Sequence, residues 1–148
     1  MELRKNLVLD TGIMVDYLSE NNSIFNDWLD NNIFIEDSNY ILHAHNNNKA
    51  ELLYILCRKF GFKKAKKLIT ESIESKIIFH TGETIANIAA QIKCLSPIAL
   101  VDCFSIATAI NFNARIIFKS GKELTSKVCK KIEHNFEITI EFPNEFLI

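Results

Sequence analysis

Short apolar runs that end at a polar residue and give way at once to a helical pattern recur along this chain, and that alternation admits few architectures. The first is LRKNLVLD, where Leu7, Val8 and Leu9 run up to Asp10. TGIMVDYLSE follows, with Ile13, Met14, Tyr17 and Leu18 at helical spacing behind Thr11, until the polar NNS at 21–23 breaks the pattern. Ser23 is placed to cap a second short helix, SIFNDWLDNN. IFI at 33–35 and YILHAH at 40–45 read as extended segments, the latter halted by the asparagines at 46–48. KAELLYILCRKF then predicts a helix with Leu52, Leu53, Ile55 and Leu56 on its apolar side, and Gly61 stops it before FKKAKKLITESIES, so the two form a helical hairpin.

The same alternation fills the second half. KIIFH at 76–80 reads as a strand, Thr81 or Thr84 is placed to cap the helix TIANIAAQIKC, and Pro97 leads into the helix IALVDCFSIATAI. ARIIFKS repeats the strand pattern, KELTSKVCKKI predicts a last helix, and FEITIEF has the alternation of an edge strand. The expectation is a single α/β domain over residues 1–148, a three-layer sandwich around a central, mostly parallel sheet. A length of 148 residues suits one domain with one sizeable core. In such sheets ligands sit beyond the carboxyl ends of the strands, where the strand order reverses. Asp10 and the turn after Phe118 both belong at that edge.

Several function classes drop out. No segment approaches the roughly 18 consecutive apolar residues of a membrane span, and the start of the chain lacks the pattern of a signal peptide, so a cytoplasmic protein with no membrane partner is expected. Cys57, Cys94, Cys103 and Cys129 form no CxxC pair, and three of them lie in apolar helical patterns as small core hydrophobes. The four glycines form neither GxGxxG nor a P-loop, and no serine sits in a nucleophile elbow. His43 and His45 share one strand face but lack a third zinc ligand at suitable spacing. Asp16 and Asp30 read as solvated helix-surface residues, and Trp28 as core.

A net charge of −1 excludes binding to nucleic acid through overall charge, so any such contact is local. Two basic clusters exist, Arg58 to Lys67 and the group Lys119, Lys122, Lys127, Lys130 and Lys131. Each is either a solvated helix face or a guide for a phosphate backbone.

The carboxylates carry the chemistry. Asp102 interrupts an apolar helix near its start, where the helix dipole alone would account for it. Yet Asp10 ends a strand, Glu51 falls in the first turn of a helix after a strand, and Glu123 starts the helix after the strand ending at Phe118. With parallel strands these four acids converge on one side. Gathered carboxylates repel and raise one another's pKa unless a cation sits between them. Magnesium or manganese takes such hard oxygen ligands and supports phosphoryl transfer.

NLVLDTGIMVDYL, KAELLYILCRKFG, ALVDCFSIATAI and ARIIFKSGKEL, in that order from Asn6 to about Leu124, resemble the four motif regions of the PIN domain, the ribonuclease fold of VapC-type toxins. The resemblance implies an endoribonuclease dependent on Mg2+ or Mn2+ that cleaves RNA phosphodiester bonds with departure of a 3′-hydroxyl. By it Asp10, Glu51 and Asp102 match the three central catalytic acids, each a metal ligand directly or through water. Many family members carry a TxD pattern after the last strand, where this chain has Phe118, Lys119 and Ser120. Glu123 resembles the acid of a variant ending in KEL and is the candidate fourth ligand. Thr11 matches the small hydroxyl residue that follows the first acid, where it orients a ligand or binds phosphate. Arg58 and Ser120 are further candidate substrate contacts, Ser120 alternatively capping the last helix. Toxin members are blocked by a cognate antitoxin and pair as homodimers. The alternatives are a PIN-like RNA- or protein-binding module with weak or no catalysis, and a cellular RNA-processing nuclease.

Overall fold

The computed structural model describes residues 3–19, 22–120 and 123–147. Strand β1 (Lys5–Leu9) leads into α1 (Thr11–Leu18) and α2 (Ile24–Asn32). Next come β2 (Tyr40–His45), the hairpin of α3 (Asn46–Phe60) and α4 (Phe62–Ser72), and β3 (Ile77–His80). Helices α5 (Glu83–Leu95) and α6 (Leu100–Asn111) precede β4 (Arg115–Ile117), and α7 (Ser126–Phe136), β5 (Ile140–Glu141) and α8 (Pro143–Phe146) complete the chain. The sheet order is β3-β2-β1-β4-β5 and every pairing is parallel, with Leu7 opposite both Leu42 and Arg115.

Parallel neighbours require a crossover between them, and the helices supply it on both faces of the sheet. The period-2 alternation of β1 shows the division. Leu7 and Leu9 enter one core cluster with Leu42, Leu52, Leu56 and Ile69, whereas Val8 enters the other with Ile92, Ile106, Ile116 and Ile132. The layers are therefore α1 to α4, the sheet, and α5 to α7. The first strand excursions run from β1 to β3 in one direction, and the chain then crosses to β4 on the far side of β1. That reversal places the topological switch point at the carboxyl ends of β1 and β4.

Most elements lie where their residue patterns place them, and the differences are local. Ile33 to Ile35 are not extended: the N–H groups of Ile33 and Phe34 both return to the Leu29 carbonyl, at 2.8 and 2.9 Å, so the segment closes α2. Ile33 is buried there and Phe34 stacks on Tyr17 at 4.5 Å. Gly82, and neither Thr81 nor Thr84, stands at the N-cap of α5. Thr125 caps α7 through the Val128 N–H, so that helix begins at Ser126 and Ser120 is not its cap. The extended tail reduces to Ile140–Glu141, because α7 runs on to Phe136 and Glu137 ends it in the left-handed region at φ 53°. Gly61 does stop α3, at φ 85° with its N–H on the Cys57 carbonyl.

Cys103 and Cys129 are core residues as expected, but Cys94 is exposed. Asp30 accepts a hydrogen bond from the Tyr17 hydroxyl at 2.5 Å and Asp16 pairs with the Lys119 ammonium at 3.0 Å, so both are partnered. Trp28 packs edge-on to Tyr40 and Phe146 beside the first cluster. Among the described residues no helix is long and apolar enough to cross a membrane.

Candidate active site

Asp10 is the first residue past β1, and its N–H extends the β1–β4 ladder by bonding the Ile117 carbonyl at 2.9 Å. It occupies the N-cap of α1 without a side-chain cap bond to that helix, which leaves its carboxylate directed across the switch point. There Oδ2 accepts the Lys119 N–H at 3.4 Å. Gly12 permits this approach, since a Cβ at that position would stand 3.2 Å from Asp10 Oδ2 and 3.3 Å from Lys119 Cβ. Asp10, Gly12, Asp102, Phe118, Lys119, Ser120, Glu123 and Leu124 line a cleft of about 280 Å³.

Asp102 lies in the first turn of α6 and lines the same cleft. Glu51 comes from α3. That helix starts at Asn46, three residues before the Lys49 start that the apolar pattern suggests, so Glu51 belongs to its second turn and not its first. The early start follows from His45, whose Nδ1 accepts the Asn47 N–H at 3.0 Å as an N-cap, a role for which histidine carries little propensity. Glu123 likewise differs from expectation. It precedes α7 in a bend and its Oε2 accepts the Ala99 N–H at 3.1 Å, tying the segment after β4 to the start of α6.

The electrostatics bind the four acids into one group. Burial is the largest influence on Asp10, followed by repulsion from Asp102, and with a smaller contribution from Glu51 these push its pKa up to about 7 against the backbone N–H of Lys119. Asp102 is pushed up to about 6 by burial, then by Glu51 and Glu123. Glu51 is raised by burial and partly relieved by a hydrogen bond from Thr11. A helix N-terminus alone would lower the Asp102 pKa, so burial, together with repulsion from Glu51 and Glu123, outweighs the dipole. Lys119, half exposed at the cleft, gives its ammonium to Asp16.

Asn48 is the residue that sequence reasoning missed. Its Nδ2 donates to Ser105 Oγ at 2.7 Å and to the Val101 carbonyl at 3.2 Å, and reaches Thr11 Oγ1 at 3.5 Å. One buried amide thereby joins α1, α3 and α6, the three helices that carry Asp10's neighbour Thr11, Glu51 and Asp102. A polar run of three asparagines gives no signal for it beyond the i, i+3 spacing from Asn48 to Glu51. Replacing Asn48 by alanine removes the amide that joins the Ser105 hydroxyl and the Val101 carbonyl to α3 and is expected to lower the unfolding free energy by about 1–3 kcal/mol, read from urea melts.

The structure thus brings Asp10, Asp102, Glu123 and Ser120 to one cleft and couples Glu51 to it electrostatically. Thr11 is buried and serves Glu51, and Arg58 lies exposed further along α3, outside the cleft. Lys122 and Gly121 lie outside the described residues. The donor set suits a hard divalent cation: carboxylate oxygens in mutual repulsion, with neither thiolate nor imidazole lining the cleft. Among the described residues no three acidic, histidine or cysteine side chains stand close enough to form a ready coordination shell.

A family model of the PIN domain matches residues 7–131. No protein in a sequence comparison with curated proteins matches the chain. Among solved structures, FitAcB from Neisseria gonorrhoeae is similar at 23% identity and a TM-score of 0.62, over 93% of this chain and 97% of that one. VapBC2 from Rickettsia felis bound to a DNA fragment from its promoter superposes with a TM-score of 0.68 at 12% identity, over 93% and 98% of the two chains. DNA-bound VapBC from Salmonella typhimurium gives 0.64 at 13% identity, over 96% and 99%.

Proposed function

Because the chain belongs to the PIN domain family, we propose that it is a divalent-metal-dependent endoribonuclease and the toxin of a toxin–antitoxin pair. The observation that carries the reading is the electrostatic coupling of Asp10, Glu51, Asp102 and Glu123 at the switch point of the sheet. Burial first, and then repulsion from neighbouring carboxylates, raise the pKa of Asp10 and Asp102 there, at a cost in stability that a purely structural site would not retain.

Asp10, Asp102 and Glu51 would hold the cation, Mg2+ or Mn2+, with Glu123 as the fourth ligand. A cation so held lowers the pKa of water and neutralises charge on the phosphate. The residues of the chain do the positioning. Thr11 donates to Glu51 and fixes its carboxylate, and Asn48 holds the helices that present Glu51 and Asp102 in register. Lys119 keeps Asp10 directed into the cleft through its backbone N–H, and its half-exposed side chain stands at the mouth, where a phosphate would enter. Ser120, exposed on the same rim, is a candidate phosphate contact.

The toxin assignment is supported by the ordered four-motif resemblance to VapC-type toxins and by the fold shared with the VapBC structures. An antitoxin that covers the cleft and a homodimer belong to the same proposal. A binding module is favoured by one feature, the absence of the TxD acid after β4, where Lys119 and Ser120 stand. Incubating the protein with a mixed RNA pool in manganese, magnesium or EDTA separates the two. Fragments with 3′-hydroxyl ends in metal and none in EDTA are expected; RNA retained intact in all three conditions sinks the nuclease reading.

A further inference from the structure

The face of α3 that carries Glu51 continues at helical spacing through Tyr54 and Arg58. Leu52, Leu53, Ile55 and Leu56 turn inward and pack in the first core cluster. Tyr54 instead remains 46% exposed, with the Arg58 guanidinium carbon 4.9 Å from its ring centroid. At a rise of ~1.5 Å per residue, the two side chains leave the helix roughly 5 and 10 Å further along its axis than Glu51. A planar aromatic and a planar guanidinium therefore stand stacked in solvent, in line with an acid of the candidate site.

The next element along this surface is basic. Helix α4 brings Lys63, Lys64 and Lys67 around a surface depression of about 640 Å³, which Phe60 and the 56%-exposed Phe62 also line, with Glu71 as the acid on that lining. The Lys64 ammonium sits 4.8 Å from the Phe60 ring centroid, a second cation–aromatic pair. In a chain of net charge −1 this concentration of positive charge is local to the start of α4, and its lining shares no residue with the acidic cleft. An α-helical i, i+4 pair on a solvated face would need neither the aromatic partner nor the adjoining cations.

We infer that the Tyr54–Arg58 stack is a platform for a base of single-stranded RNA, whose phosphates follow the lysines of α4 on their way to Glu51. The inference rests on the ribonuclease reading above and names how that site holds its substrate. Charge complementarity selects a polyanion, and the exposed rings select one with bases to stack, since single strands bind on aromatic and guanidinium planes along positively charged grooves. An acidic protein would be drawn by the lysines but has no comparable use for the Tyr54 face.

Binding of a short fluorescein-labelled single-stranded RNA of mixed sequence, followed by anisotropy in EDTA so that no cleavage occurs, tests this. Tyr54→Ala should weaken binding by about tenfold, within the range of a lost base stack, whereas Tyr54→Phe should bind as the wild type does. An abasic version of the oligonucleotide should be held alike by all three proteins. Lys64→Ala with Lys67→Ala should lessen the slope of log K against log salt by ~0.7 for each lysine, and Tyr54→Ala should leave the slope unchanged. Equal affinity of the wild type and Tyr54→Ala for the base-bearing RNA overturns the platform, including the case in which this face seats a protein. If Tyr54→Ala weakens RNA binding while the wild type shows no manganese-dependent cleavage, the platform stands and the nuclease reading fails. Cleavage by the wild type with unchanged affinity in Tyr54→Ala gives the reverse.

Discussion

Replacing Asp102 by asparagine is expected to reduce manganese-dependent RNA cleavage by at least ~10³-fold, about 4 kcal/mol of barrier at ~1.36 kcal/mol per factor of ten. Asparagine keeps the size and an oxygen acceptor but removes the charge, so the loss reports on cation binding and not on packing. Asp102 is chosen because it is coupled to each of the other three acids: Asp10 responds to it, and it responds to Glu51 and Glu123. Calorimetric titration of manganese should show the parallel loss of binding. Glu123→Gln should cost less, about tenfold, because glutamine retains the acceptor for the Ala99 N–H that anchors this residue. Glu123→Ala removes both charge and anchor and should fall further. If Glu123→Gln and Glu123→Ala are equally impaired, the anchor is irrelevant and the charge alone matters. Cleavage by Asp102→Asn at the wild-type rate would remove the acids from the chemistry altogether.

The order of strands and helices was legible because it rests on periodicity and on the position of polar stops. Leu7, Val8 and Leu9 before Asp10, and the apolar positions of α3, α4 and α6, each commit their segment to one state. What was not legible depends on contacts between segments. Ile33 to Ile35 have β-branched character, but burial of Ile33 and the return of two N–H groups to Leu29 hold them as the end of α2. Tertiary context overrode propensity there. At α3 the N-cap is a histidine side chain, which no composition rule favours, and the shift in helix start moves Glu51 by a turn.

The candidate site divides in the same way. Asp10, Glu51 and Asp102 are visible in sequence because an acid among apolar residues stands out, and parallel topology puts such positions on one edge. Glu123 could be named but not described, since its bond to the Ala99 N–H joins residues far apart in the chain. Asn48 was invisible for a related reason. It lies in a polar run that reads as a loop, and only the crossing of α1, α3 and α6 makes it a buried junction. Positions set by local pattern are readable from one segment; those set by the meeting of three are not.

Asp10→Asn should make the metal-free protein more stable at pH 8, by up to about 4 kcal/mol, the upper limit set by a carboxyl moved from 3.8 to about 7 at ~1.36 kcal/mol per unit. The sign follows from proton binding. Between about pH 4 and pH 7 the folded chain holds the Asp10 proton while the unfolded chain has released it, so stability falls as pH rises through that interval and stays low above it. Asp102, raised to about 6, adds a smaller decline in the same direction. Asparagine has no charge to desolvate and keeps an oxygen for the Lys119 N–H, so the variant should keep only the smaller decline that Asp102 contributes. At ~2–4 °C per kcal/mol for a domain of this size, Tm at pH 8 should rise by up to roughly 8–16 °C over the wild type, with little difference at pH 4. Manganese should narrow the gap. A cation at ~100 times its Kd stabilises the wild type by about 2.7 kcal/mol, and Asp10→Asn, lacking a ligand, should gain far less. A variant that is no more stable than the wild type at pH 8 would mean that neither burial nor repulsion strains the Asp10 carboxylate, and one that gains as much from manganese would mean that Asp10 is not a cation ligand.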